Sequence, residues 1–166
     1  MMLVAVTSHV AEAGGYLGLG VGTAPSVNDE RLTPSSRTFK VLGGQRWTNF
    51  TLEGGFGGFL LSERKDIDVY SLQVAAKLNF PLASNIEAFG RAGVQHAWLN
   101  TPNPLRDQDG SGYLIGAGFE YRVNLAAGSG SIFVDYTYAT ANMSNERREK
   151  FDLSTRTWML GITVGI

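Results

Sequence analysis

The chain of 166 residues is the length of one domain and contains no cysteine, which excludes a disulfide framework and thiolate chemistry. Its 14 Lys+Arg nearly balance its 15 Asp+Glu, for a formal net charge of −1, whereas a nucleic-acid-binding domain needs a strongly basic surface. Charged residues make up only 17% of the sequence, compared with about 25% in typical soluble domains.

The first patterned segment begins near Gly14. Before it, Met1–Val6 is a short apolar run and Ala11-Glu12-Ala13 fits a small-x-small cleavage site. We therefore expect residues 1–13 to be a signal-peptide remnant or a disordered N-terminus, and residues 14–166 to form one barrel domain. The sequence lacks a run of about 18 apolar residues, so a transmembrane helix is not predicted, and a protein that spans a membrane without helices must be a closed barrel.

Apolar and polar residues alternate in eight segments, and none of these segments has a helical period. The alternation predicts strands at residues 15–23, 38–46, 50–61, 69–80, 86–98, 112–124, 131–140 and 154–166. Each of these segments is long enough to cross a bilayer when it is tilted. The sequence therefore predicts an all-β fold, an eight-stranded antiparallel up-and-down transmembrane β-barrel.

The breaks between these segments alternate between short and long. The short breaks are residues 47–49, 81–85 and 125–130, and the long breaks are residues 24–37, 62–68, 99–111 and 141–153. In an up-and-down meander the short breaks form turns at one end, and the long breaks form loops at the other. Short periplasmic turns and longer extracellular loops are typical of outer-membrane barrels, so the four loops are candidate contacts for an extracellular partner.

Charged residues within one strand fall on the same face, opposite the aliphatic and aromatic residues. Only Arg156, where the last strand leaves its long loop, falls on the apolar face. A cation that faces lipid at the midplane costs about 2–4 kcal/mol, so we expect the charged face to point inward. The predicted interior ionic network contains Lys40, Arg46, Glu53, Lys77, Glu87, Arg91, Glu120, Arg122 and Asp135. A soluble lipocalin-like barrel would instead turn its apolar face inward. The aromatic residues near the predicted strand ends favour the membrane alternative: Trp47, Phe50, Phe80, Trp98, Tyr113, Tyr121 and Trp158.

The sequence resembles the small outer-membrane β-barrels of the OmpA/OmpX/opacity type from Gly14 onward. The similarity is carried by GGYLGLGVG at Gly14–Gly22, FKVLGGQRWTNFTLEGGFGGF at Phe39–Phe59, KLNFPLASNIEAFGRAGV at Lys77–Val94, GYLIGAGFEYRV at Gly112–Val123 and IFVDYTY at Ile132–Tyr138. The resemblance implies a location in the bacterial outer membrane, in contact with lipid and lipopolysaccharide.

The sequence gives little support to an enzyme: we expect no catalytic residues, metal or cofactor. A filled polar interior instead favours a structural or adhesin-like role that depends on the loops, and a narrow porin-like channel is the main alternative. A lipid-modifying enzyme is a weaker alternative, suggested only by His96 and nearby hydroxyls. Basic residues near the last loop could contact lipopolysaccharide phosphates or a partner: Arg147, Arg148, Lys150 and Arg156.

Overall fold

The computed structural model describes residues 14–27, 37–61, 67–100, 108–125, 128–144 and 150–166. These residues form nine strands: β1 (Gly14–Gly22), β2 (Ser26–Val27), β3 (Thr38–Trp47), β4 (Phe50–Leu61), β5 (Ile67–Pro81), β6 (Ile86–Asn100), β7 (Gln108–Leu125), β8 (Gly128–Ser144) and β9 (Lys150–Gly165). Among the described residues there is no helix long and apolar enough to cross a membrane.

Eight of these strands close into one antiparallel barrel. Each long strand pairs with the next along the chain, and β9 returns to pair with β1, with Tyr16 opposite Gly165 and Gly22 opposite Met159. Because the barrel is closed, neither β1 nor β9 has a free edge. The neighbouring strands therefore supply hydrogen-bond partners for their backbone N–H and C=O groups, and no water is needed. The prediction of an eight-stranded up-and-down barrel is confirmed.

The short strand β2 continues the barrel wall beyond the end of β1. The N–H of Thr23 donates to the carbonyl of Trp158 at 2.9 Å, and Ser26 then pairs with Arg156. Pro25 lies in the intervening break, where its missing N–H does not interrupt a ladder. The predicted loop 24–37 is therefore wrong at Ser26–Val27, and its residues 28–36 lie outside the described residues.

The strands also extend further than predicted at the loop end, so three other predicted loops are too long. Residue 67 begins β5 within the predicted loop 62–68, and both ends of the predicted loops 99–111 and 141–153 belong to strands. The sequence prediction ended these strands at the polar breaks between the alternating segments. Their inward face remains apolar, with Leu99, Met143 and Leu153 all buried, so strand pairing continues. The remaining segments, residues 62–66, 101–107 and 145–149, lie outside the described residues.

The barrel wall separates two kinds of surface. In β7, Ile115 and Phe119 are 51% and 57% exposed, whereas Leu114 and Glu120 are buried. Large exposed apolar side chains occur on all eight strands of the barrel, and together they form a continuous outer band. A soluble protein rarely exposes an apolar surface of this extent, so the lipocalin-type alternative is wrong and lipid covers the outside.

Candidate functional site

Nearly all of the charged side chains that the sequence assigns to the interior are buried in two layers. The first, here called the mid-height layer, contains Lys40, Glu53, Arg91 and Asp135. Arg91 Nη1 donates to Glu53 Oε1 at 2.8 Å, and Arg91 Nη2 contacts Asp135. Lys40 Nζ lies 3.4 Å from Glu53 Oε1. Two cations and two anions thus neutralise one another across four strands.

The second layer, here called the turn-end layer, lies nearer the short turns and contains Arg46, Lys77, Glu87, Glu120 and Arg122. Arg46 Nη2 lies 2.9 Å from Glu87 Oε2, and Arg122 Nη2 lies 2.6 Å from Glu87 Oε1. Lys77 pairs with Glu120. The Arg122 side chain is 34% exposed, so this layer reaches the open end of the barrel.

The structure brings all nine predicted interior residues into these two layers, and it adds two that the sequence analysis did not name. The Tyr16 hydroxyl donates to Glu53 Oε2 at 2.8 Å, and Thr137 Oγ1 contacts Arg91 and donates to Asp135 Oδ2 at 3.1 Å. Both residues share the inward parity of their strands, which is the signal that could have identified them. Arg91 thereby links a carboxylate on β4 to a carboxylate on β8, which lies across the lumen.

The interior near the loop end is apolar rather than polar. Seven buried side chains pack together there, here called the loop-end cluster: Phe59, Val69, Ala97, Leu99, Ala141, Met143 and Leu153. The expected polar filling therefore holds only for the middle of the barrel and its turn end. The loop-end cluster and the mid-height layer lie one after the other along the lumen.

Interior space is distributed unevenly between the two ends. A cavity of about 460 Å³ at the turn end is lined by Arg46, Lys77, Glu120 and Arg122. A smaller cavity of about 70 Å³ lies between the mid-height layer and the loop-end cluster, next to Gln73 and Gln95. The buried polar atoms of the interior that have no hydrogen-bond partner in the protein include Gln73 Oε1, Asn79 Oδ1, Arg91 Nε and Asp135 Oδ1, and buried water can supply that partner.

The basic residues predicted at the rim are only partly described. Arg156 is exposed on the outer face of β9, with its guanidinium carbon 5.9 Å from the centre of the Tyr138 ring. The backbone of Lys150 pairs with Ser144 at the start of β9. Arg147 and Arg148 lie outside the described residues.

His96 has two polar neighbours on the outer face near the loop end. Its Nδ1 lies 2.8 Å from Ser111 Oγ, and its Nε2 lies 3.6 Å from Asp109 Oδ2. The Trp98 ring meets the imidazole edge-on, with the ring centres 4.8 Å apart. Within the described part of the chain, no group of three or more His, Cys, Asp or Glu side chains is placed to hold a metal ion.

Comparisons with known proteins agree with this architecture. Neisserial surface protein A has a TM-score of 0.74 at 14% identity, covering 92% of this chain and 97% of that one. Ail, the attachment invasion locus protein of Yersinia pestis, has a TM-score of 0.60 at 18% identity, covering 93% and 99%. The N-terminal β-barrel domain of Pseudomonas aeruginosa OprF has a TM-score of 0.58 at 12% identity, covering 92% and 100%. At these identities the similarity shows the fold alone.

No curated protein matches the chain by sequence. The family model described as "Outer membrane protein beta-barrel domain" matches residues 1–165, which is nearly the whole chain. This match agrees with the closed barrel, its apolar outer band and its ionic interior. The protein therefore belongs to the outer membrane protein beta-barrel domain family, and its barrel spans the bacterial outer membrane.

Proposed function

We propose that this protein acts at the cell surface, through contacts made at the loop end of the barrel, and that its role involves no transport through the lumen. The observation that carries this proposal is the double obstruction of the interior. Arg91 crosses the lumen between Glu53 and Asp135, and the loop-end cluster lies beyond it. The proposed role includes no chemical step.

A porin-like channel is the weaker candidate for the same reason. An ion that entered from the cavity of about 460 Å³ would first have to separate buried ion pairs of the mid-height layer. It would then meet buried apolar side chains such as Phe59 and Met143, and an apolar constriction resists entry of water and ions.

The strand extensions at the loop end support a surface role. On the outer face of β6, the continuous apolar stretch ends at Val94, where His96 follows, yet the strand continues through Trp98 to Asn100. β8 likewise continues to Ser144, past the outward-facing Tyr138. These extensions raise the loops above the lipid, where they can reach another molecule. Two proteins of similar fold, Neisserial surface protein A and the attachment invasion locus protein Ail, have names that refer to the cell surface and to attachment.

Shortening residues 28–36, 62–66, 101–107 and 145–149 tests the proposed surface role. We expect the full-length protein to make bacteria adhere to host cells and the shortened barrel to lose this adhesion, because the partner contacts are removed while the wall remains. Adhesion is counted on cells with equal amounts of folded barrel, measured by electrophoresis of unboiled and boiled samples. Ser84→Ala, in a turn at the opposite end, is the matched control. Equal adhesion by shortened and full-length protein would refute the proposal.

We also propose that the basic rim holds lipopolysaccharide through its phosphates. Arg156 supports this because its guanidinium is exposed on the outer face beside Tyr138, where a phosphate can take two parallel hydrogen bonds. The sequence adds Arg147, Arg148 and Lys150 to the same rim. Lipopolysaccharide lies in the outer leaflet, next to this end of the barrel.

Replacing Arg156 with alanine is expected to remove about 1 kcal/mol of the stability that lipopolysaccharide confers, since one cation near an anionic membrane surface contributes about that much. The measurement is the urea unfolding free energy in phospholipid vesicles with and without added lipopolysaccharide. Arg122→Ala, at the opposite end of the barrel, should leave the lipopolysaccharide-dependent gain unchanged. An equal gain in wild type and the Arg156 variant would contradict the contact.

A further inference from the structure

Three outward-facing side chains on β6 and β7 form a chain of polar contacts that the barrel wall does not require. Ser111 Oγ lies 2.8 Å from His96 Nδ1, within hydrogen-bond distance. Asp109 Oδ2 lies 3.6 Å from the other ring nitrogen, His96 Nε2. With a proton on Nε2 facing the carboxylate, Nδ1 is free to accept the Ser111 proton. A hydroxyl, an imidazole and a carboxylate in this order are the nucleophile, base and orienting group of one common arrangement for acyl transfer.

The site lies where the outer surface changes from apolar to polar. On β6 the outward residues are apolar from Ile86 to Val94, and His96 is the first polar residue after them. On β7 the outward residues from Tyr121 to Tyr113 are aromatic or aliphatic, and Ser111 follows. The span Ile86–Val94 rises about 20 Å if the strand is tilted by about 40°, which approaches the height of the lipid band. Ester bonds that join acyl chains to lipid headgroups lie at this same boundary.

The His96 imidazole is accessible from the lipid, and its neighbours restrict its orientation. The His96 side chain is 37% exposed and that of Asp109 is 64% exposed, so a lipid in the outer leaflet can reach them. The Trp98 ring packs edge-on against the imidazole and limits its rotation. On β7, Asp109 lies directly opposite Trp98 and Ser111 directly opposite His96, so the strand register itself brings the three groups together.

The backbone next to Ser111 departs from regular pairing. The β7–β8 ladder pairs Ser111 with Asn142 and resumes at Leu114 with Ala139, and the two residues between are not paired in it. In this gap the Tyr113 N–H donates to Thr140 Oγ1 at 3.4 Å. A hydroxyl oxygen at this distance is only a weak acceptor for the Tyr113 N–H.

We propose that Ser111, His96 and Asp109 form an esterase site that releases ester-linked acyl chains from lipids of the outer leaflet. This activity goes beyond the loop-mediated role and does not depend on it. Ser111 Oγ bonds to the ester carbonyl carbon while His96 Nδ1 takes the hydroxyl proton. The bond from that carbon to the lipid alcohol oxygen then breaks, and the alcohol leaves with the proton. Water, activated by the same imidazole, hydrolyses the acyl-serine, which releases the fatty acid and restores Ser111.

The test uses the full chain refolded into vesicles of phosphatidylethanolamine and lipopolysaccharide, with released fatty acid as the first readout. Ser111→Ala and His96→Gln are each expected to lower release at least about 100-fold, as loss of a nucleophile or general base does. Asp109→Asn should lower release more than about tenfold. The second readout needs no knowledge of the lipid: an alkyl fluorophosphonate should label Ser111 in the wild type, as detected by mass spectrometry of the digested protein.

Two matched controls separate this chemistry from a general effect on the outer rim. Ser154→Ala removes another outward hydroxyl near the loop end, and Asp68→Asn removes an acid that accepts a hydrogen bond from Tyr70. Neither variant should alter fatty acid release or labelling. Wild-type protein that migrates as a folded barrel, yet releases no fatty acid and carries no phosphonate on Ser111, would overturn the esterase site. Such a result would leave the adhesion test of the loops unaffected.

Discussion

Replacing Arg91 with alanine is expected to lower the free energy of unfolding of the barrel by about 3–5 kcal/mol, because removing one partner of a buried ion pair leaves uncompensated charge. Arg91 contacts both Glu53 and Asp135, so its loss leaves two carboxylates with fewer cations. Lys40, at 3.4 Å, still pairs with Glu53, but no described cation pairs with Asp135 besides Arg91. The measurement is urea unfolding in phospholipid vesicles, followed by tryptophan fluorescence.

Arg122→Ala is the control for Arg91→Ala. The Arg122 side chain is 34% exposed, and its partner Glu87 also pairs with Arg46, so the expected loss is below about 1 kcal/mol. If the Arg91 variant does not refold, adding Asp135→Asn should restore folding, because it removes the carboxylate left without a partner. Equal stability of the Arg91 variant and the wild type would show that the mid-height layer contributes little.

Replacing Val74 with arginine is expected to destabilise the barrel by about 2–4 kcal/mol, the cost of a cation facing lipid near the midplane. Val74 is 49% exposed at the middle of β5, directly opposite the outward-facing Val94 on β6. The measurement is again the free energy of unfolding in phospholipid vesicles. This substitution tests which face of the wall touches lipid, and every assignment of the interior depends on that orientation.

The cost of a lipid-facing cation falls from the bilayer midplane toward the membrane surface, so a substitution near that surface is the control. Leu82 is 61% exposed in the turn between β5 and β6, outside the apolar band, so Leu82→Arg should cost about 1 kcal/mol or less. Similar losses for the Val74 and Leu82 variants would mean that the cost does not come from lipid. No loss for either variant would contradict the membrane orientation of the barrel.

The sequence alone predicted the barrel and the parity of its strands, because a two-residue period is a local property of the chain. Lys77 and Asn79 alternate with Leu78 and Phe80 in β5, and once the cost of a lipid-facing charge is considered, this order assigns each side chain to a face. The strand ends were harder to place. Leu99 and Met143 continue the buried inward pattern within segments that the sequence prediction assigned to polar loops, so the predicted strands end too early.

The partners of the buried charges and of the outward polar groups depend on contacts between distant parts of the chain. The sequence identified Arg91 as inward-facing, but only closure of the barrel brings it to Asp135, 44 residues away. His96 likewise reaches Ser111 only because the register of β6 and β7 sets them directly opposite. Local alternation determines the face on which a residue lies. Strand register and barrel closure determine which residues are its neighbours, because register and closure depend on hydrogen bonds between strands that the local pattern does not encode.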